Sequence, residues 1–283
     1  MGEGAPVDVA TVMCQWAAGG LAYLWVTTRR GEVGLGYGWL LRSLYGAIAV
    51  IAAVTGFVFQ PDAVRDLASI AMAACAGATL LRSALPNVPA AGPREPAGGI
   101  DSDGAAPADT SPRRTIEGFD PRWDLAAPLA GVVGVVAAGL GASGDINPVL
   151  HLARVVAGAA FLGVVSNSML LGHWYLVQPG LRREPLRGLV RHLGAIWPVE
   201  VGLLLLPTGM VSVLSGSIDD GYGGLLGWFW VACAVTTVAL AAVAMAALRE
   251  RQYAAVMAAT GLLYLAILTG FGTDLVARLT LAG

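Results

Sequence analysis

Eight apolar stretches alternate with polar gaps along the 283-residue chain. They run Met13–Thr27, Trp39–Gln60, Leu67–Leu85, Leu125–Ser143, Pro148–Val177, Leu186–Leu206, Leu225–Leu248 and Gln252–Leu275. A helix needs about 20 residues to cross roughly 30 Å of hydrocarbon, and most of these segments have them. The pattern predicts an all-α fold, a polytopic integral membrane bundle of about eight transmembrane helices. The gaps differ in charge. Fourteen of the 17 basic residues lie in or beside every second one, and all are arginine. Arg29, Arg30 and Arg42 mark the first gap, and Arg82, Arg94, Arg113, Arg114 and Arg122 the third. Arg182, Arg183, Arg187 and Arg191 surround the fifth, while Arg249 and Arg251 fill the seventh. The intervening gaps carry mainly Asp62, Asp66, Asp145, Asp219 and Asp220. Excess arginine marks the cytoplasmic side, so both termini are expected outside.

One polar interruption is long. Pro86–Asp124 holds seven prolines, seven acids and four arginines. Such a stretch buries too little apolar surface to offset the entropy of ordering it. The expected organisation is a three-helix transmembrane segment over 1–86, a Pro/Gly/Asp-rich cytoplasmic linker over 87–124, flexible or ordered by a partner, and a five-helix segment over 125–283. Asn147-Pro148 and Glu184-Pro185 place proline in the first turn of the fifth and sixth spans, where its missing N–H costs nothing. Trp25, Tyr37, Trp39, Trp123, Trp174, Tyr175 and Tyr253 fall at inner boundaries and Tyr222, Trp228 and Trp230 towards outer ones, as interfacial aromatics do. In the fourth span Ala130, Gly134 and Ala138 recur every four residues, which predicts close helix packing, centrally or against another subunit. No internal repeat is evident.

A hydrophobic fraction of 56 % and a mean hydropathy of +0.68 agree with a membrane protein. A net charge of −2, with no basic stripe interleaved with aromatics, offers nucleic acid no footing. Cys14, Cys75 and Cys233 stand singly within spans and read as small buried hydrophobes. Residues 1–6 lack the positive region of a cleavable signal and the motif for myristoylation, so insertion is expected to rely on the first span. The absence of lysine beside abundant Ala, Gly, Val and Arg suggests a GC-rich bacterial genome, hence a multi-pass protein of a bacterial cytoplasmic (inner) membrane.

Candidate chemistry concentrates in the fifth and sixth spans. An ionisable residue inside a span is costly and calls for a partner. His151, Arg154, His173, His192 and Glu200 qualify, with Ser166 and Asn167 as polar company. His173 and His192 flank the turn between Pro179 and Pro185 at matching depth, about 9–10 Å from it at 1.5 Å per residue. Two imidazoles so placed suit a quinone headgroup or, as metal ligands, the iron of a b-type haem. Trp174, Asn167 and Glu200 complete the expected cofactor set. The plainer alternative is that each histidine caps a carbonyl or faces the interface. His151 lies about 33 Å along the helix from His173, too far for two stacked haems on one helix. His151 and Arg154 form an outer cluster that Asp145 or Asp274 would neutralise. Glu200 follows Pro198, a proline that breaks one helical hydrogen bond. It suits proton uptake or a carrier's gate, or else an interhelical hydrogen bond.

No Gly-rich phosphate loop, HExxH or G-x-S-x-G motif is present, which argues against a self-contained enzyme. The first reading is an integral-membrane subunit of a respiratory or other electron-transfer complex, with quinone or haem b at the fifth–sixth hairpin and other subunits as partners. The second is a small-molecule or ion carrier using Glu200. The third is a cofactor-free structural or assembly subunit.

The topology is testable with single cysteines in a cysteine-free background. On intact cells an impermeant thiol reagent should label Ser217→Cys and spare Ala106→Cys. The opposite pattern would invert the orientation.

Overall fold

A computed structural model describes residues 8–85, 121–141, 147–178, 180–206, 209–250 and 252–281. The helices are α1 (Val9–Thr28), α2 (Leu35–Phe59), α3 (Ala63–Ala84), α4 (Ala126–Leu140), α5 (Pro148–Val177), α6 (Glu184–Leu205), α7 (Met210–Leu214), α8 (Leu225–Ala247) and α9 (Tyr253–Leu281). A 3-10 turn, Pro121–Leu125, leads into α4. Among the described residues there is no strand. All helices except α7 are long and apolar enough to cross a membrane, α4 together with its 3-10 turn. The protein is therefore a multi-pass helical bundle, and side chains such as Val54, Phe57, Leu67 and Leu268 on its outside meet lipid.

The helix starts follow local chemistry. The Asp8 carboxylate accepts from Thr11 N–H, Asp62 from Val64 and Arg65 N–H, and the Asn147 side chain from Val149 N–H. In the loop before α8, Asp220 accepts from Tyr222, Gly224 and Leu226 N–H. These backbone donors, that of Gly224 foremost, hold its carboxyl below the ordinary aspartate range. The loop wraps this tightly because Gly221, Gly223 and Gly224 have positive φ.

The long helices pack as two rings of four. In the first, α1 packs on α2, α2 on α3, α3 on α4 and α4 back on α1. In the second, the order is α5, α6, α8, α9 and back to α5. The rings join where α5 meets α1 and α4. Thus α4, which follows the polar linker in sequence, closes the ring begun by α1–α3. Residues 121–124, the end of the expected linker, belong to the folded bundle; 87–120 lie outside the described residues. The glycine face of α4 is used within the chain: a Cβ at Gly131 would lie 2.7 Å from Ala18 Cβ, and one at Gly134 3.0 Å from Cys14 Sγ.

The seam between the rings is built on glycine. At Gly19 an added Cβ would come within 1.8 Å of the Ala159 carbonyl oxygen, and at Gly163 within 2.3 Å of the Gly19 backbone. The α1 and α5 backbones touch, an approach that small residues allow in lipid. Beside the crossing, Asn167 Nδ2 donates to the Gly20 and Gly163 carbonyls and contacts Tyr45 Oη at 2.9 Å. Ser166 Oγ meets Tyr45 Oη and accepts from Trp16 Nε1.

Ion pairs close both ends of the first ring. Arg42 donates twice to Asp124, at 2.7 and 2.9 Å, and both side chains are 1 % exposed. Thr28 Oγ1 also donates to Asp124, so this carboxylate ties α1, α2 and the start of α4. At the opposite end Arg65 bonds Asp8, Asp66 and the Gln60 carbonyl. In the second ring, Arg183 and Arg187 donate to carbonyls of Leu248, Glu250 and Gln252, so part of the arginine excess at this end caps the C-terminus of α8.

Gly163→Val should force α1 from α5 and cost about 3 kcal/mol, the upper end of ordinary overpacking. Gly188→Ala, where nothing lies within 4 Å of the new Cβ, should be neutral or stabilising. Thermal unfolding in detergent ranks the two, and equal melting temperatures would contradict the crossing.

Candidate functional site

The buried charge of the second ring lies in its arginine-poor half, which the positive-inside rule assigns to the outer leaflet. Arg154 on α5, Glu200 on α6 and Asp274 on α9 each sit five to seven residues from the outer end of their helix. Gln15 lies six residues into α1. At 1.5 Å per residue all four are roughly 8–11 Å below the outer helix ends.

Asp274, 0 % exposed, accepts both Nε and Nη2 of Arg278 one turn on, at 2.8 and 2.9 Å. This internal pair lets α9 continue to Leu281, beyond the Leu275 that hydropathy alone indicates. Gly158 of α5 makes room for it. A Cβ there would lie 2.6 Å from Arg278 Nη2, 2.9 Å from Asp274 Oδ1 and 3.2 Å from Gln15 Nε2. Gln15 donates through Nε2 to the Val155 carbonyl, while its buried Oε1 receives no hydrogen bond.

Arg154 was expected to meet Asp145 or Asp274. Asp145 lies outside the described residues, and Asp274 is taken by Arg278. Arg154 instead donates from Nε to the Leu203 carbonyl at 2.9 Å and from Nη2 to the Leu206 carbonyl, capping the C-terminus of α6. Gly209 packs beside it, where a Cβ would stand 3.0 Å from Arg154 Nη2. Next to this, Met210 and Val213 of α7 join Leu204, Trp230, Val276 and Ala277 in a small apolar cluster at the outer end of the ring.

Glu200 is 0 % exposed, and neither carboxylate oxygen makes a hydrogen bond. Its electrostatic neighbours are Asp274, Arg278 and Arg154: the two carboxyls lie within hydrogen-bond reach of each other, while neither arginine bonds Glu200. Trp230 Nε1, at similar depth on α8, is likewise buried without an acceptor.

The residues assembled from sequence into one hairpin site face different seams. His173 Nδ1 lies 2.9 Å from Tyr264 Oη on α9, at the lipid-exposed surface. The exposed His192 ring lies 6.0 Å from that of Tyr23 on α1. Trp174 packs against Tyr37 of α2 and donates to Gln178 Oε1. Asn167 belongs to the α1–α2–α5 junction, and Glu200 to the outer half of the second ring. No hydrogen bond or ring contact joins His173 to His192 among the described residues, nor is there a group of three or more His, Cys, Asp or Glu able to hold a metal ion. His151 Nδ1 meets the Gly139 carbonyl at 2.9 Å, which ties α5 to α4. Sequence reasoning missed Gln15 and Arg278. The available signals were a glutamine inside an apolar run and an Asp–Arg pair at i, i+4 spacing.

No protein-family model, no curated protein and no solved structure matches this chain.

The contrast between the two acids gives a stability test. Asp274→Asn strips Arg278 of its carboxylate and should cost about 3–5 kcal/mol, as breaking a buried pair does. Glu200→Gln keeps the shape and leaves an amide able to donate to Asp274, so it should cost about 1 kcal/mol or less. The reverse ranking in thermal unfolding would sink this geometry.

Proposed function

We propose that this chain is a membrane carrier for a small solute or ion, with Glu200 as the carboxyl that binds the coupling ion. One observation supports the reading. Four acids are buried among the described residues: Asp66, Asp124, Asp274 and Glu200. The three aspartates are each paired with an arginine, Arg65, Arg42 and Arg278. Glu200 alone has no arginine: no donor reaches its oxygens, and the side chain beside it is a second carboxyl, Asp274. A carboxyl retained as packing glue would hydrogen-bond a neighbouring helix. A carboxyl set beside a second carboxyl, with no fixed cation of its own, can take up and release an ion, since two neighbouring carboxylates repel and a bound proton or cation relieves the repulsion.

The electron-transfer reading keeps one supporting observation, the His173–Tyr264 pair on the lipid-facing surface. There a membrane-soluble quinone would find a donor for a carbonyl oxygen. On that reading an extract of the purified protein contains quinone, or its spectrum shows a Soret band, and either is lost in His173→Phe.

The carrier is tested in proteoliposomes under an imposed proton or sodium gradient, with the small-molecule fraction of a bacterial extract outside. Wild-type vesicles should accumulate at least one solute roughly tenfold over Glu200→Gln vesicles, as read by mass spectrometry. Equal accumulation in the two, or none in either, would overturn the proposal.

A further inference from the structure

Among the described residues the second ring holds a cation without an ion pair as well as a carboxyl without one. Of the arginines within its helices and those of the first ring, Arg42, Arg65 and Arg278 each meet an aspartate at 3.0 Å or less. Arg154 is buried and forms no ion pair among the described residues. Its Nε and Nη2 go to carbonyl oxygens, and no acceptor takes Nη1. A carbonyl satisfies a donor but carries no net charge, so the guanidinium charge is left for something else to balance. Glu200 is an electrostatic neighbour of Arg154, yet the two are not in contact.

Resting on the carrier reading, we infer that the solute is a small monovalent anion, which binds at Arg154 when Glu200 takes up a proton. The groups facing Glu200 set the balance. From α5 comes Arg154 and from α9 come Asp274 and Arg278; the neutral Gln15 of α1 lies beside the Asp274–Arg278 pair at Gly158, and the neutral Trp230 of α8 belongs to the adjoining apolar cluster. Asp8 of α1 acts on Arg278 from farther out and is bonded to Arg65, and His151 is turned to the Gly139 carbonyl. With Glu200 ionised, two arginines and two carboxylates cancel. With Glu200 protonated the cluster carries one positive charge, which a monovalent anion neutralises. Without the anion, the ionised Glu200 serves as the counterion of Arg154. Proton and anion therefore enter together, one for one, and no step of the cycle leaves an uncompensated charge in the membrane.

A sodium ion fits this site less well. Two guanidinium groups stand close to Glu200, and the oxygens beside it are those of a single further carboxyl, Asp274, already taken by Arg278. A proton needs a single oxygen.

The test uses purified full-length protein in weakly buffered detergent with a pH-indicating dye, and chloride, nitrate, acetate and lactate as sodium salts. At least one anion should bind by calorimetry and draw in about one proton per anion bound. Its affinity should then fall up to tenfold per pH unit on the alkaline side, as one-proton linkage requires. Glu200→Gln resembles the protonated carboxyl and should bind the same anion without proton uptake and independently of pH. Arg154→Gln should lose anion binding; because Arg154 also caps α6, Glu200→Gln is the deciding variant. Failure of all four anions to bind, binding without proton uptake, or an unchanged pH profile in Glu200→Gln would each overturn the inference. Sodium-driven accumulation of a cationic or neutral solute in the vesicles would leave the carrier standing without the anion. A Glu200→Gln protein identical to wild type in both assays would end both readings.

Discussion

In hydrocarbon a charged side chain has only the rest of the protein to turn to, and this constraint organises the bundle. Each buried aspartate draws an arginine to itself. Arg42 with Asp124 and Arg65 with Asp8 join segments far apart in sequence, so these pairs fix which helices are neighbours. Their worth lies less in net energy than in exclusion. A misassembled ring would leave a bare charge in lipid, which costs far more than a correctly made pair gains. The glycine crossing at Gly19 and Gly163 then sets how closely the two rings approach.

The two rings manage polarity differently. In the first, the buried arginines and aspartates answer one another at both ends. In the second, Asp274 and Arg278 are matched, while Arg154 leans on carbonyls and Glu200 has only the Asp274 carboxyl beside it. Helical membrane proteins tolerate such incompleteness only where surrounding packing holds it in place. Here the packing comes from α1 through Gln15, from Gly158, and from the α7 cluster at the outer end. The well-satisfied ring acts as a fixed support for the one that is not.

The helices were legible in the sequence because a span is a one-dimensional property, a run of apolar residues of sufficient length. The exceptions are instructive. The apolar run of the last helix ends at Leu275 because Arg278 reads as a bare charge beyond it, whereas bonded to Asp274 it leaves the helix free to continue. Asp124 read as linker because its partner, Arg42, stands two helices away. The hairpin site was drawn from matched depth, yet depth fixes only position along a helix. Rotation about the axis decides what a side chain meets, and it turns His173 to α9 and His192 to α1. Glu200 was legible from the expense of a mid-span carboxyl. Its setting was not, since that depends on the α1, α5 and α9 faces converging in space.

The Arg42–Asp124 pair also imposes an order in time. The partners are 82 residues apart, with α3 and the whole polar linker made between them. At roughly 5–20 residues per second, Arg42 enters the membrane several seconds or more before its carboxylate exists. During that interval its long stem is what carries the guanidinium towards the headgroups. Synthesis of Asp124 then supplies the carboxylate that ties α2 to the start of α4. The first ring is thus finished only after the linker has been made, and its last-made helix, α4, is the one that turns the lock.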